Sequence, residues 1–339
     1  MRKIGILANE GSWYYRDLER AAKARGHQCQ RLDFERLVAR VCHGGSSIET
    51  ASPPQEAESQ KSAVDHICGE DSVLSRQHVP LSDSVLSSQP STNPPNVPLS
   101  TAPFDLLIVR TMPPGTLEQV VYRMDVLGRV EGAGTQVINS PKSLECAVDK
   151  YLTTARLQQA GLPVPDTVVC EHEDDALHAF HDLGSDVVVK PLFGSEGRGI
   201  VRVCDPDLAH RTFRTLMRLN AVLYIQRFVE HEGFDVRVVV LNGKVLGGMR
   251  RRSPGDFRTN VSRNAIAETH ELTPREADFA LRATAATGAY IAGVDLLYDR
   301  QGNCYVIEVN AVPGWQAFSK VTGIDVAATL LRSCSATTE

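Results

Sequence analysis

Two neighbouring runs decide how this chain reads: Ala292-Gly293-Val294-Asp295-Leu296-Leu297-Tyr298, and, after a short polar turn, Cys304-Tyr305-Val306-Ile307-Glu308-Val309-Asn310. Each is short, apolar and rich in strand-forming residues, so the pair reads as an antiparallel hairpin. Side chains alternate along a strand, which puts Glu308 and Asn310 on one face. If Tyr298 pairs with Asn303 across the turn, Asp295 stands opposite Val306 and shares that face. Two carboxylates and an amide oxygen then converge among apolar residues. Hard oxygen ligands of this kind suit Mg²⁺ bridging nucleotide phosphates. The competing reading, a solvated polar sheet face, fits poorly with a run as apolar as Val306-Ile307-Glu308-Val309-Asn310.

Upstream, Val187-Val188-Val189-Lys190-Pro191 precedes Gly194-Ser195-Glu196-Gly197-Arg198-Gly199. A lysine at a strand end can direct its ammonium at a phosphate, and the glycines allow close approach of backbone N–H groups. The order matches neither a Walker A loop nor a dinucleotide fingerprint, because the lysine comes first and no helix opens on the glycines. A plain glycine-rich hairpin is the alternative. Between these features lies Met249-Arg250-Arg251-Arg252, leading to Gly255-Asp256-Phe257-Arg258-Thr259-Asn260. Arginine forks match carboxylate and phosphate oxygens, although a solvated basic loop gives the same pattern. His172, His178 and His181 stand among Glu171, Glu173, Asp174 and Asp175, which reads as an acidic solvated helix face rather than a metal site. No Ser-His-Asp or Cys-His set is identifiable.

The rest of the chain is an alternation of strands and helices. Residues 2–8, a helix from Tyr14 to Arg25 and a strand from Gln28 to Phe34 open an α/β unit. It resumes with Phe104 to Arg110, a helix from Leu117 to Arg129 and a strand from Gln136 to Asn139. Residues 44–102, dense in Ser, Pro, Gln and Asn and without an aromatic residue, are expected to be a disordered insertion. The expected organisation is an α/β domain from 1–43 and 103–145, a second domain over 146–332 and a flexible tail at 333–339. In the second domain Asn242-Gly243 is a strong hairpin signal between the strands that flank it.

Bulk properties limit the functional classes. The 339 residues carry 36 basic and 41 acidic side chains, a net charge of −5 that argues against non-specific nucleic-acid or membrane-surface binding. The start lacks the apolar region of a signal peptide, and no apolar stretch approaches the ~20 residues that span a bilayer. The eight cysteines include no C-x-x-C pair, so a reducing cytoplasm is the expected location.

Ile138-Asn139-Ser140-Pro141, Asp149-Lys150, Val189-Lys190, the glycine-rich loop, Gly255-Asp256-Phe257-Arg258-Thr259-Asn260, Gly293-Val294-Asp295 and Glu308-Val309-Asn310-Ala311-Val312-Pro313-Gly314 occur in one order. Together they resemble the RimK branch of ATP-grasp ligases, from about Phe104 to Arg332. The resemblance implies a mixed α/β (α+β) ATP-grasp fold behind an open α/β pre-ATP-grasp domain. It implies that Lys150 and Lys190 contact ATP phosphates under a lid that includes Gly194, Ser195, Gly197 and Gly199. Arg227 and Phe228 fall where the family's linker reads adenine, Arg227 replacing a common acidic residue. Asp235 is expected at the ribose, Arg258, Thr259 and Asn260 at phosphates and substrate, and Arg251, Arg258 and Asn260 in catalysis. Asp295, Glu308 and Asn310 are expected to hold two Mg²⁺ ions, with Mn²⁺ as a substitute. The implied reaction joins an amino acid, L-glutamate, to a carboxylate acceptor through an acyl phosphate, with ADP released. Acceptors in the family include a protein, a pterin or deazaflavin coenzyme and an amino-group carrier protein. Pro313-Gly314-Trp315 resembles the pterin-directed members. A homo-oligomer is compatible with this reading. The alternatives are a relative using another amino acid and an ATP-binding regulator without catalysis.

Overall fold

A computed structural model of the chain describes residues 1–42, 45–50, 104–194, 197–253 and 266–335. The apolar run at the start forms β1 (Lys3–Leu7), and α1 (Trp13–Lys23) follows with Ser12 as its N-cap, the hydroxyl accepting from Tyr15 N. Next come β2 (Gln28–Leu32) and the mutually paired antiparallel strands β3 (Leu37–Cys42) and β4 (Gly45–Thr50). β5 (Leu106–Val109), α2 (Leu117–Gly132), β6 (Gln136–Ile138) and α3 (Pro141–Val148) complete this part. Its main sheet is parallel, in the order β2-β1-β5-β6, as strands joined by helical crossovers require.

β4 corrects the expected start of disorder at residue 44. Its Ile48 is buried in one cluster with Leu32 and Phe34, which a Ser-rich composition does not advertise. The rest of the expected insertion lies outside the described residues. α3 is also an addition to the sequence reading, which placed no helix directly after the strand ending at Asn139; Ser140 caps it and Pro141 opens it.

A second sheet follows. α4 (Lys150–Gln159) is capped by Asp149, and β7 (Thr167–Cys170), α5 (Glu173–Asp182), β8 (Val187–Lys190), β9 (Val201–Val203), α6 (Pro206–Arg218) and β10 (Leu223–Arg227) come after it. The antiparallel order is β7-β10-β8-β9, and α5 and α6 cover one face with fully buried Phe180 and Phe213. His172 caps α5, accepting from Asp174 N.

The third sheet contains β11 (Phe234–Leu241), β12 (Lys244–Arg252), β13 (Ile266–His270), β14 (Ile291–Tyr298) and β15 (Cys304–Asn310), in the order β13-β12-β11-β14-β15. Asn242 and Gly243, at φ 46° and 68°, make the expected two-residue turn between β11 and β12. Helix α6 is followed in the chain by α7 (Pro274–Thr287), which packs Ala280 and Ala283 against this sheet, and by α8 (Gln316–Thr322) and α9 (Val326–Ser335).

The amino-terminal sheet and the third sheet share one core. Ile4, Ile6 and Leu18 pack with Val239, Leu241, Trp315 and Phe318. A buried side chain ties the same parts by hydrogen bonds. Asn139 donates to the carbonyls of Ile291 (2.7 Å) and Ala311, and its Oδ1 accepts from Tyr290 N (2.6 Å) and Ile291 N (3.0 Å). The open end of the β14–β15 hairpin is thereby fixed to the residue that follows β6.

Candidate active site

The β14–β15 pair differs in one informative way from its sequence reading. Asp295 stands opposite Glu308, not Val306, because Leu296 pairs with Val306 and Ile307 is an extra residue. This β-bulge re-aims the strand. Leu296, Val306 and Val309 enter the core on one side, whereas Asp295, Leu297, Ile307 and Glu308 all line a cleft on the other. Asn310 pairs with Gly293, two residues before Asp295 on the same strand. Its Oδ1 accepts from Val312 N at 2.9 Å.

The cleft lies between the second and third sheets and is graded in character. Val188, Ile200, Phe228, Leu297 and Ile307 furnish an apolar part, and Lys150, Lys190, Asp235, Asp295 and Glu308 furnish a charged part. A flat apolar base joined to a polyanion is the ligand shape that such a gradient fits.

Two lysines face the charged part. Lys190, at the end of β8, donates to Gln226 Oε1 at 2.7 Å. Burial pushes its pKa down to about 8, opposed by the charges of Glu308 and Asp295 and reinforced by Lys150. Lys150, in the first turn of α4, donates to Gly194 O at 2.7 Å and is also lowered by burial, against the pull of Glu308. That bond ties the start of the glycine-rich loop to the cleft. In the loop, Gly197 and Gly199 have φ of 68° and 72°, and a Cβ on Gly199 would lie 2.8 Å from Pro191. Ser195 lies outside the described residues.

Carboxylates and guanidinium groups alternate beneath the lysines. Arg251 Nε donates to Asp235 Oδ1 at 2.7 Å, and its Nη2 reaches both Asp235 and, at 2.9 Å, Asp295. Arg237 grips Asp295 through Nε and through Nη2 at 2.9 Å. All four side chains are nearly inaccessible. Burial works against ionisation of Asp295, but Arg237 and Arg251 outweigh it and hold the carboxyl below its ordinary value. Arg251 thus joins the expected ribose and metal residues, and its own pKa is raised by them against burial.

Arg227 is the last residue of β10, at the start of the linker. Its Nε donates to Asp166 at 3.0 Å, and its guanidinium lies 5.8 Å from the Tyr305 ring. The N–H groups of Arg227 and Phe228 are already given to the carbonyls of Asp166 and Asp186. Phe228 is covered by the Arg202 guanidinium at 3.6 Å.

Sequence reasoning missed the supports of Lys190. Gln226 also donates to Thr167 Oγ1 (2.9 Å) and to the Tyr224 hydroxyl (3.1 Å), which is 2.8 Å from Thr154 Oγ1. The signal was the alternation Tyr224-Ile225-Gln226, which puts both polar side chains on one face of β10. His231 lines the cleft too and had no sequence signal. Arg258, Thr259 and Asn260 lie outside the described residues.

The donor set suits a hard cation shared with phosphate oxygens. It contains two carboxylates and an amide oxygen, and no group of three His, Cys, Asp or Glu fit to hold a metal occurs among the described residues. Among the described residues no helix is long and apolar enough to cross a membrane.

Comparisons with known proteins identify the family. The tetrahydromethanopterin:alpha-L-glutamate ligase of Methanosarcina acetivorans is 31% identical over 76% of this chain and 88% of its own length. The ribosomal protein bS6–L-glutamate ligase of Escherichia coli is 32% identical over 62% of this chain and 70% of its own. The ATP-grasp ligase PsnB, solved with a phosphomimetic variant of its minimal precursor, Mg and ADP, shares the fold at a TM-score of 0.65. Its identity is 19%, over 100% of this chain and 99% of that one. Residues 147–334 match the RimK-like ATP-grasp domain, which spans both sheets and the cleft between them. With more than half its length in that match, the chain belongs to the RimK-like ATP-grasp family and is an ATP-dependent carboxylate–amine ligase.

Proposed function

We propose that this ligase adds L-glutamate to the carboxylate of a pterin-type coenzyme or of a protein, passing through an acyl phosphate. The observation that carries this reading is the meeting of Lys150, Lys190, Asp295 and Glu308 at one end of a cleft whose other end is apolar. The acceptor carboxylate attacks the γ-phosphorus of ATP, the bond to the β-phosphate oxygen breaks, and ADP leaves. The glutamate amine then attacks the acyl carbon, expels phosphate and gives up a proton as the amide forms. Catalysis of this kind rests on positioning and charge neutralisation rather than on a protein nucleophile.

Asp295, Glu308 and Asn310 would hold Mg²⁺, as two ions, which supply charge neutralisation at the phosphates. Lys190 and Lys150 bind the phosphate chain as point charges, and Lys150 couples it to the loop that starts at Gly194. Excluding water matters, because an acyl phosphate hydrolyses readily, and the glycine-rich loop is suited to that task. Asp235 faces the cleft at the ribose position, and Arg258, Thr259 and Asn260 complete the phosphate and substrate contacts. Arg251 holds Asp235 and Asp295 in register.

The test is a coupled ADP assay with mass spectrometry. Tetrahydropterins and peptides that end in glutamate are offered as acceptors, with glutamate or another amino acid. The expected product is heavier than its acceptor by one glutamyl residue, with one ADP per bond. ADP formation with a different amino acid and none with glutamate would overturn the amino-acid assignment.

A further inference from the structure

Arg110 stands immediately after β5, at the carboxyl edge of the parallel sheet, and is only 8% exposed. Its guanidinium lies 4.2 Å from the Trp315 ring and 4.8 Å from the Tyr14 ring. Nη2 donates to Pro313 O at 2.7 Å, while Nε is buried with no hydrogen-bond partner. Among the described residues no carboxylate pairs with it: Asp17, near the same rings, accepts from Trp315 Nε1 (2.9 Å) and Arg20. Burial lowers the Arg110 pKa to about 10, eased only by Tyr14. A buried cation without an anion is costly, and proteins normally pair it.

The position is next to the reaction machinery. Pro313 follows Asn310 closely in the chain, and its Cβ is 3.1 Å from where a Cβ on Gly293 would stand. Gly293 is in turn the partner of Asn310. The carboxyl edge of an open α/β sheet is also where ligands of such sheets collect. Ligation presents several anions at once: the phosphates, the reacting carboxylate, and the carboxylates that do not react. Lys150, Lys190 and the metal residues serve the first two. Arg110 is set apart from them, charged at neutral pH and holding an unspent Nε donor.

We infer that Arg110 is the seat of a non-reacting carboxylate of one of the substrates, gripped by the guanidinium fork between Tyr14 and Trp315. The inference rests on the glutamate-ligase reading for the identity of that substrate, which is either the incoming amino acid or the acceptor. Arginine rather than lysine is required, because the fork both stacks on rings and meets two carboxylate oxygens.

The experiment uses the full chain with Mg²⁺ and a non-hydrolysable ATP analogue, and titrates two probes by calorimetry. L-glutamate represents the amino acid. N-acetyl-L-glutamate, whose amine is blocked, represents an acceptor ending in glutamate. In Arg110→Met, which keeps the stem against the rings, the dissociation constant of one probe should rise at least tenfold. The ATP analogue should bind within twofold of wild type. Loss of L-glutamate assigns the seat to the amino acid, and loss of N-acetyl-L-glutamate assigns it to the acceptor. Binding of neither probe to wild type, or equal binding to wild type and variant, overturns the seat. Should Arg110→Met also weaken the analogue, Arg110→Lys decides, since it keeps the charge and loses the fork; unchanged probe affinity there overturns the proposal. Product formation from glutamate by wild type tests the ligase reading separately. Normal turnover with an indifferent Arg110→Met rejects only the seat. A wild type that ignores glutamate but holds N-acetyl-L-glutamate through Arg110 rejects only the amino-acid assignment.

Discussion

The ammonium of Lys190 is held by a glutamine oxygen and drawn by the charge of Glu308, yet burial still brings its pKa to about 8. Phosphates arriving beside it would reverse that shift, so ATP binding should take up a proton between about pH 8 and the ordinary lysine value of 10.5. In the same window the unfolded chain binds more protons than the free native enzyme, so stability from this group rises with pH while ATP affinity falls. At pH 8 the uptake should be about half a proton. Calorimetry of ATP binding in buffers of different ionisation heat measures it, and Lys190→Met should abolish it; an uptake that survives in that variant assigns the proton elsewhere. The two carboxylates proposed to hold metal should separate in a second comparison. Glu308 makes no hydrogen bond among the described residues, so Glu308→Gln should cut ligation by about 10²-fold or more with an unchanged melting temperature. Asp295→Asn should lose both activity and stability, by up to about 3–5 kcal/mol, because it strands Arg237 and removes one of the two carboxylates that pair with Arg251. Equal stability of the two variants would contradict the network. Residue type and order made Lys190, Asp295 and Glu308 legible in sequence. Partners such as Arg237 and Gln226 were not, since an ion pair joining β11 to β14 has no local signature.

Among elements, those with their own punctuation were the easiest to read. The turn Asn242-Gly243 and the helix that opens at Leu117 appear where the sequence puts them. The bulge at Ile307 was invisible, because an extra residue leaves the apolar pattern of β15 intact and changes only what faces what. β7 is short, and nothing in its surroundings announces it apart from its pairing with β10. Helix α7 offers the cleanest test at this scale. Thr273 and Glu276 form a reciprocal capping box, and Glu276, 1% exposed, also meets the His270 ring and the Tyr298 hydroxyl. Burial opposes its charge, but the Thr273 and His270 bonds prevail and lower its pKa. Its stabilisation is therefore present above the unfolded carboxylate value and is lost as pH falls through the lower folded one. Thr273→Ala should cost about 1 kcal/mol and Glu276→Gln more, with the gap between Glu276→Gln and wild type closing in acid. Denaturant titrations at neutral and acid pH would show this, and a gap independent of pH would deny the carboxylate its role.

At the scale of the whole molecule, the sequence divides into two α/β units more readily than the structure does. The reason is that the shared core is built by contacts far apart in the chain, Ile4 and Leu18 with Val239 and Phe318, and periodicity reports only which residues are apolar. Asn139 makes the union specific. It is 1% exposed and satisfies two carbonyls and two N–H groups at the open end of the β14–β15 pair. Asn139→Ala leaves those backbone groups buried without partners, each worth about 1–3 kcal/mol if nothing relaxes. Partial relaxation should leave a net loss of about 2–4 kcal/mol. Ile291 and Ala311 flank Gly293 and Asn310, so loosening them should also spoil the register of Asp295 and Glu308. The expected outcome is one cooperative unfolding transition at a lower temperature, with Mg²⁺-dependent nucleotide affinity reduced in the surviving native state. Asn139→Asp separates the contributions, since it keeps an acceptor for the two N–H groups and removes both donors. Calorimetric unfolding and nucleotide titration, done on both variants, check the chain of cause. If Asn139→Ala unfolds in two separate transitions with nucleotide binding intact, the two parts are independent domains that merely touch. If it unfolds in one, the amino-terminal sheet is a structural member of the proposed ATP site, holding β14 and β15 from behind.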